Sequence, residues 1–210
     1  MTTVLAICIP ALRLAVIGSD SQITAGEQIF KTTTKKHVVV NHEATKTPVG
    51  FGFGGTAKGC FAARRVLKDL LRDSETVKDA VMGFAEATFE NEVIRTGGDA
   101  SGIIVWPEGL FSITTLDMAY EIEPMNISSF PKPLEIYHYA VGSGSPYALG
   151  AMHAMLRGIN SVTAAPRVTF AETLIRIARA ALDCAVRYDR NSSGTLNIDG
   201  LDGENPGGFK

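Results

Sequence analysis

The sequence is poor in cysteine and histidine and has no long apolar run. Its three cysteines are odd in number and widely spaced, which argues against a disulfide framework and favours a reducing compartment. Neither a CxxC pair nor an HExxH spacing occurs, so we expect no metal and no cofactor and interpret the four histidines as surface or core side chains. Without an apolar run of about 18 residues or a basic-then-apolar leader, we predict a cytoplasmic protein with no membrane partner.

A basic excess is also missing. The formal net charge is −2, and the compact basic clusters, Lys35-Lys36 and Arg64-Arg65, are too short to follow a phosphate backbone. Nucleic acid is therefore not an expected partner. With 210 residues, 45% of them hydrophobic and 20% charged, the chain is long enough for one large domain with an ordinary core.

Strand and helix patterns alternate in blocks along the chain. Strands are predicted at 3–9, 13–20, 35–40, 49–54, 102–106, 110–116, 118–123, 134–141 and 195–198. Helices are predicted at 56–72, 74–95, 146–157 and 168–187. The order lacks the βαβ alternation of a parallel sheet and favours an α+β fold of antiparallel sheets with helix pairs on their outer faces. We predict a single domain over 2–198 and a loose, Gly/Asp-rich tail over 199–210.

Thr2 follows the initiator methionine, which aminopeptidases generally remove before a small residue. Loss of Met1 would leave an α-amine and a hydroxyl on one residue. An α-amine with a pKa of ~7.7–8.0 can act as a base, and a threonine with a free amine is a known activated nucleophile. Threonine follows methionine in many unrelated proteins, so the signal acquires weight only from the rest of the chain.

Further motifs occur in a fixed order. They are Thr2-Thr3-Val4, Gly18-Ser19-Asp20-Ser21-Gln22, Thr24-Ala25-Gly26, Lys35-Lys36, Gly54-Gly55-Thr56-Ala57 and Gly142-Ser143-Gly144-Ser145-Pro146-Tyr147-Ala148. Together they resemble the proteasome β-subunit family of N-terminal-nucleophile hydrolases, which includes the bacterial HslV peptidase. The resemblance covers roughly residues 2–198. The mixture of HslV-like and β-subunit-like motifs is most similar to the proteasome homologues of β-proteobacteria.

The resemblance implies a four-layer αββα sandwich and a threonine-type endopeptidase in a self-compartmentalising complex. Its expected substrates are peptides or unfolded proteins. Its expected assembly is a homo-oligomer of stacked rings, with sevenfold symmetry favoured. Whether an ATPase unfoldase serves it stays open, because no docking motif is recognisable.

The resemblance also assigns catalytic roles. Thr2 would be the nucleophile, and Lys36 would lie beside its hydroxyl, favour the alkoxide and lower the pKa of the amine. Asp20, sixteen residues before Lys36, would pair with it. The amide N–H of Gly54 would form the oxyanion hole. Each has an ordinary alternative, such as a turn aspartate for Asp20 or a solvated lysine for Lys36.

Ser143, Asp189 and Ser192 would complete the network around the Thr2 amine. Ser143 has an ordinary alternative as a serine in a flexible turn. The sequence departs from the family pattern at Ser193, where a glycine is usual.

A second departure is the spacing from Thr2 to Asp20, which is two residues longer than the family pattern. We attribute the extra length to a longer hairpin tip at Pro10-Ala11.

Substrate is expected to lie extended between residues 21–24 and 52–54, an arrangement that reads the backbone. The expected contacts are Ser21, Ile23, Gln22, Thr24, Thr34, Gly52 and Phe53. Gly52 would lie near the floor of the first specificity pocket, with Thr34, Val38 and Cys60 as its walls.

Three other readings stay open. Gly50-x-Gly52-x-x-Gly55 satisfies a nucleotide-binding GxGxxG, although a second helix follows the first where a strand should and no GxxxxGK[ST] is present. The chain could instead be a non-catalytic scaffold subunit of a ring, or a related amidase acting on small molecules.

Overall fold

A computed structural model describes residues 3–25, 28–31, 35–90, 100–114, 120–121, 125–127, 134–161, 166–205 and 207–209. Thr2 and Thr34, two of the residues predicted to lie in the site, are outside these ranges. Their roles stay predictions.

The chain begins with the predicted hairpin, which the structure confirms. Strands β1 (Thr3–Ile9) and β2 (Leu14–Ser19) pair antiparallel, with Val4 opposite Ser19. A 3-10 turn over Pro10–Leu12 joins them, and Arg13 closes it in the left-handed conformation with φ 50°. The register of the paired strands is regular. The position of the two additional residues at this tip stays a prediction.

Twelve strands and four α-helices occur in the described part of the chain. The other strands are β3 (Gln22–Ala25), β4 (Gln28–Lys31), β5 (His37–Asn41), β6 (Pro48–Gly55), β7 (Ala100–Trp106), β8 (Gly109–Thr114), β9 (Tyr120–Glu121), β10 (Met125–Ile127), β11 (Leu134–Gly142) and β12 (Asn197–Asp202). The helices are α1 (Ala57–Asp73), α2 (Val77–Glu90), α3 (Ser145–Arg157) and α4 (Arg167–Tyr188).

The strands form two large antiparallel sheets. The first has the order β10-β11-β1-β2-β12 and the second β5-β6-β7-β8-β9, while β3 and β4 form a separate hairpin. The described helices follow the predicted pairs, α1 with α2 and α3 with α4. None of them has the length and hydropathy that a membrane span requires.

Buried apolar side chains lie in three layers, which shows that the sheets and helices are stacked. Along β1, Leu5 and Ile7 pack against α3 and α4, whereas Val4 and Ala6 pack toward the second sheet. Because alternate side chains of a strand point to opposite faces, a strand buried on both faces is apolar throughout, as β1 is. The third layer lies between the second sheet and helices α1 and α2 and contains Phe51. The predicted four-layer αββα sandwich is therefore confirmed.

The prediction of a loose tail that begins at residue 199 is wrong. The last strand does not stop at residue 198 but continues as β12 and pairs with β2 along its whole length. Leu201 is fully buried between the sheets, and a Cβ on Gly200 would lie 2.6 Å from the ring of Phe209. The Gly/Asp composition suggested a loose tail, but an available strand partner and a buried leucine order it over the residues described.

Candidate active site

Asp20 and Lys36 form the predicted pair. Asp20 follows the end of β2 directly, and Lys36 precedes the start of β5, so the two strand ends bring them together. Lys36 Nζ lies 3.5 Å from Asp20 Oδ1. Asp20 is fully buried and Lys36 is 9% exposed, so solvent screens the pair only weakly.

Asp20 also holds the backbone of three other segments. Its Oδ1 accepts the Thr3 N–H at 2.9 Å. Its Oδ2 accepts the Ser193 N–H at 3.1 Å and the Gln22 N–H at 3.3 Å. Burying a carboxylate is costly unless it is paired and hydrogen-bonded, and Lys36 with these donors offsets that cost. The start of β1, the start of β3 and the loop after α4 thus meet at one carboxylate.

The titration of the pair is perturbed in both partners. Burial raises the pKa of Asp20, against the opposing effect of Lys36 and of the backbone donors. Burial lowers the pKa of Lys36, against the opposing effect of Asp20. The Lys36 ammonium therefore holds its proton less tightly than an ordinary lysine does. Such perturbed, paired groups cluster at functional sites.

Ser143, Asp189 and Ser192 also come together as predicted. Asp189 follows the end of α4, and its Oδ2 accepts hydrogen bonds from Ser143 Oγ at 2.6 Å and Ser192 Oγ at 2.8 Å. Its Oδ1 accepts the Asn191 N–H at 3.0 Å. Burial raises the pKa of Asp189, but these hydrogen bonds outweigh it and bring the pKa below its ordinary value. Asp189 is therefore a carboxylate at neutral pH.

The two clusters meet at Thr3, which the sequence reading did not include in the site. Thr3 Oγ1 lies 2.7 Å from Ser192 Oγ. Since the Ser192 hydroxyl donates to Asp189, Thr3 Oγ1 is the donor to Ser192. Gly144 packs against this contact, because a Cβ there would overlap Thr3 Oγ1 and lie 2.8 Å from Ser192 Oγ. The site therefore converges on the residue that follows Thr2. In the sequence, the position of Thr3 next to the predicted nucleophile Thr2 was the one feature that could have indicated its place in the site.

The chain is similar in architecture to three solved structures of HslV, BPH and Anbu. HslV from Trypanosoma brucei matches with a TM-score of 0.70 at 21% identity over 96% of this chain and 99% of its own. BPH from Thiobacillus denitrificans, in complex with epoxomicin, matches at 0.63 and 17% over 95% and 98%. Anbu, an ancestral β-subunit from Yersinia bercovieri, matches at 0.68 and 15% over 95% and 82%.

The chain has the proteasome/HslV N-terminal-nucleophile fold. The resemblance inferred from the motifs is thus confirmed at the level of structure. No family model and no curated protein sequence matches the chain significantly.

Within this HslV-like fold, Ser193 fits where a glycine was expected. Its N–H binds Asp20, and its hydroxyl donates to Gln22 Oε1. The left-handed conformation falls on Gly194, with φ 89°, so Ser193 needs no glycine-like backbone.

The side chains of Ser21 and Gln22 are fully buried against the same loop, with Ser21 Oγ accepting the Thr195 N–H at 2.8 Å. Any contact of these two residues with substrate would therefore use their backbone.

The glycine-laced strand β6 is only half paired near its end. β5 begins at His37, opposite Gly52, and no described strand pairs with Gly54 on that side. On the other side Gly54 lies opposite Ser101 of β7. The Phe53 side chain is buried in the helix-facing core, with its ring 5.9 Å from that of Phe84, so only its backbone could meet a substrate.

Gly52 is required by close packing between the two sheets. A Cβ there would lie 2.8 Å from Val4 Cγ1 and 3.2 Å from the Lys36 carbonyl oxygen. This packing explains the glycine, and the predicted role of Gly52 at a pocket floor stays a prediction. Ile23 and Thr24 lie on β3, and their predicted contacts with substrate likewise stay predictions.

A second polar cluster adjoins the backbone of Lys36 and was not predicted from the sequence. Ser19 Oγ lies 2.9 Å from His37 Nδ1, and His37 Nε2 lies 2.8 Å from Asp199 Oδ2. The Lys36 N–H donates to Ser19 Oγ at 3.3 Å. Lys35 Nζ reaches Asp199 at 2.9 Å from the solvent side. Because Asp199 fell in the predicted tail, no sequence pattern connected it to the site.

Proposed function

We propose that the chain is a threonine-type endopeptidase of a proteasome-like complex, with Thr2 as its nucleophile once Met1 is removed. One observation carries the proposal. The Asp20–Lys36 pair and the Ser143–Asp189–Ser192 cluster, both expected from the family resemblance, converge on Thr3 in a chain with the HslV-like fold.

The convergence supports a specific chemistry. The Thr2 hydroxyl attacks the scissile carbonyl while its own α-amine accepts the proton. The Lys36 ammonium favours the alkoxide and lowers the pKa of the amine by like-charge repulsion. The amine then donates the proton to the leaving peptide amine, and water hydrolyses the acyl-enzyme.

The supporting groups hold this arrangement in place. Asp189, with Ser143 and Ser192, orients the Thr2 amine through the network that reaches Thr3. The N–H of Gly54 stabilises the oxyanion, a role consistent with the absence of any described strand paired with Gly54 on the β5 side.

An extended peptide is the substrate that suits this site. Among the described strands β3 pairs only with β4, and none pairs with β6 at Gly54 on the side of β5, so we expect a peptide strand to add there, a mode that is tolerant of side-chain sequence. Since BPH was solved in complex with epoxomicin, we infer that epoxomicin binds this chain too. Epoxomicin binding then reports whether the site is correctly formed, whereas peptide hydrolysis reports turnover.

The proposed assembly is a homo-oligomer of stacked rings, sevenfold by preference, that encloses the Thr2 sites. A ring of this kind admits unfolded chains and excludes folded proteins. An ATPase partner stays open.

The nucleotide-binding alternative does not fit the structure. Gly50 and Gly52 lie inside β6 and pair with antiparallel neighbours on both sides, so the GxGxxG forms no phosphate-binding turn. A scaffold subunit of the same fold remains the competing function, and the experiment below distinguishes it.

Fluorogenic-peptide hydrolysis and the mass of the amino terminus test the proposal together. Thr2→Ala should abolish hydrolysis and epoxomicin binding, while Thr2→Ser keeps the hydroxyl and amine and should retain both. Lys36→Ala should lower kcat by about a thousandfold, because it removes a buried charge beside the reacting oxygen. Lys46→Ala, which changes an exposed lysine, is the matched control and should leave kcat unchanged.

Two results would contradict the proposal. Full activity in protein that retains Met1 would exclude the amine as base. Assembled protein that has lost Met1 but neither cleaves peptides nor binds epoxomicin would show a scaffold subunit.

A further inference from the structure

The backbone of Lys36 lies just outside the described ladder of β5. It precedes β5, whose ladder begins at His37 opposite Gly52. Two described side chains bind its peptide groups: Ser19 Oγ accepts its N–H, and the Arg64 guanidinium donates to its carbonyl oxygen. A long, flexible side chain reaches a fixed point only when its backbone is fixed first.

We propose that His37, held by Asp199, is a positioning residue for Lys36 and acts through the hydroxyl of Ser19. The inference rests on the proposed function for its effect on catalysis, but its structural part stands independently.

The direction of the hydrogen bonds supports this role. A carboxylate only accepts, so His37 Nε2–H donates to Asp199 Oδ2. In this tautomer Nδ1 is an acceptor, and the Ser19 hydroxyl donates to it. The hydroxyl hydrogen is thereby turned away from Lys36, and a lone pair of Ser19 Oγ faces the Lys36 N–H. Each bond in the series fixes the next.

Asp199 carries its negative charge near neutral pH and so remains an acceptor for the His37 Nε2–H. The hydrogen bond from His37, together with Lys35, lowers the pKa of Asp199 to about 2. Ser19 and the His37 side chain are fully buried, so water does not compete for either bond.

The series has the residue types of a Ser-His-Asp triad but not its accessibility. Ser19 and the His37 ring are both closed to solvent, so no substrate carbonyl can reach the hydroxyl. The three residues instead support the backbone of Lys36 through the Ser19 hydroxyl. The three residues also come from β2, β5 and β12, so they tie the final strand to the catalytic pair.

Ser19→Ala and Asp199→Ala test the role, with Ser112→Ala, a buried serine of β8, as the matched control. The measurements are kcat and KM for peptide hydrolysis and hydrogen–deuterium exchange at the Lys36 amide. Both test variants should lower kcat by about tenfold to a hundredfold with KM within about twofold, because a misplaced group slows chemistry more than binding. The Lys36 amide should exchange at least about tenfold faster, because its acceptor is lost or loosened. Ser112→Ala should change neither measurement.

A rescue pair separates positioning from general loss of structure. His37→Ala removes the acceptor for Ser19, whereas His37→Asn places an amide oxygen near the position of Nδ1. His37→Asn should therefore recover at least about a third of the kcat that His37→Ala loses and should slow exchange at Lys36.

Unchanged exchange at Lys36 in Ser19→Ala would overturn the inference, as would a rise in KM with constant kcat. If the wild-type protein cleaves no peptide, the proposed function fails. The exchange measurement then decides the positioning role alone.

Discussion

Three aspartates organise the site region, and each is held by different chemistry. Asp20 is fully buried against Lys36 and backbone N–H groups. Asp189 accepts two serine hydroxyls. Asp199 is partly exposed and accepts from His37 and Lys35. Only the last has a pKa far enough below the ordinary value to make a clear pH signature.

Asp199→Asn should therefore destabilise the protein in a pH-dependent way. The pKa of Asp199 is about 2 in the folded protein against an ordinary value of 3.8, so its charge stabilises the fold above pH 3.8, and this contribution is lost as pH falls toward 2. Since the side chain is 30% exposed, solvent screening reduces the expected loss in the free energy of unfolding to about 1–2 kcal/mol at pH 7.

Urea unfolding at several pH values measures this difference. Glu43→Gln, in an exposed ion pair with Lys46, is the control and should change the free energy of unfolding by less than about 0.5 kcal/mol. A difference for Asp199→Asn that stays constant from pH 7 to pH 2 would contradict the assignment.

At the scale of elements, β12 forms one edge of the first sheet and lies beside β2. It pairs with β2 from Asn197 opposite Ser19 to Asp202 opposite Leu14. Arg167, at the start of α4, forms two hydrogen bonds with the Asp202 carboxylate and also binds the Leu12 carbonyl. The strand therefore covers β2, joins the helix layer and carries Asp199 to the site.

Leu201→Ala should lower the free energy of unfolding by about 2–5 kcal/mol, because it removes a fully buried side chain from the core between the sheets. Val168→Ala, at a site that is 68% exposed, is the matched control and should stay within about 0.5 kcal/mol. Equal effects of the two substitutions in chemical denaturation would mean that the end of the chain is not part of the core.

At the scale of the whole molecule, several large apolar side chains lie on the outer helices. Phe61 of α1 is 71% exposed, and Tyr147 of α3 and Tyr188 of α4 are 43% and 61% exposed with their rings 5.8 Å apart. Exposed aromatic residues of this kind are enriched in interfaces between proteins. The surface is therefore compatible with the proposed assembly.

The purified protein should sediment as a large oligomer. Two sevenfold rings of a 22.4 kDa chain would have a mass of about 300 kDa. Sedimentation velocity measures this directly, and Thr2→Ala should sediment identically because the nucleophile makes no contribution to ring contacts in the proposal. A wild-type mass near that of one chain would contradict the proposed assembly.

Local patterns in the sequence determined much of the fold. The apolar run of β1 and the break at Pro10 predicted the first hairpin, and the spacing of apolar residues after Thr56 predicted α1, whose amino end Thr56 caps. The motifs around Asp20 and Lys36 predicted a pair that the structure forms. The hairpin and α1 depend on neighbouring residues, so periodicity and spacing are sufficient to detect them, whereas the Asp20–Lys36 pair was implied by the family resemblance.

Only the tertiary structure decided what joins distant segments. The extension of β12 to Asp202 depends on β2, a partner far away in sequence, and composition alone suggested disorder. The Ser19–His37–Asp199 series joins residues 18 and 162 positions apart. Thr3 likewise enters the site through Ser192, 189 positions away. No local pattern carries such information, because burial and hydrogen bonding between remote residues exist only after the sheets have packed.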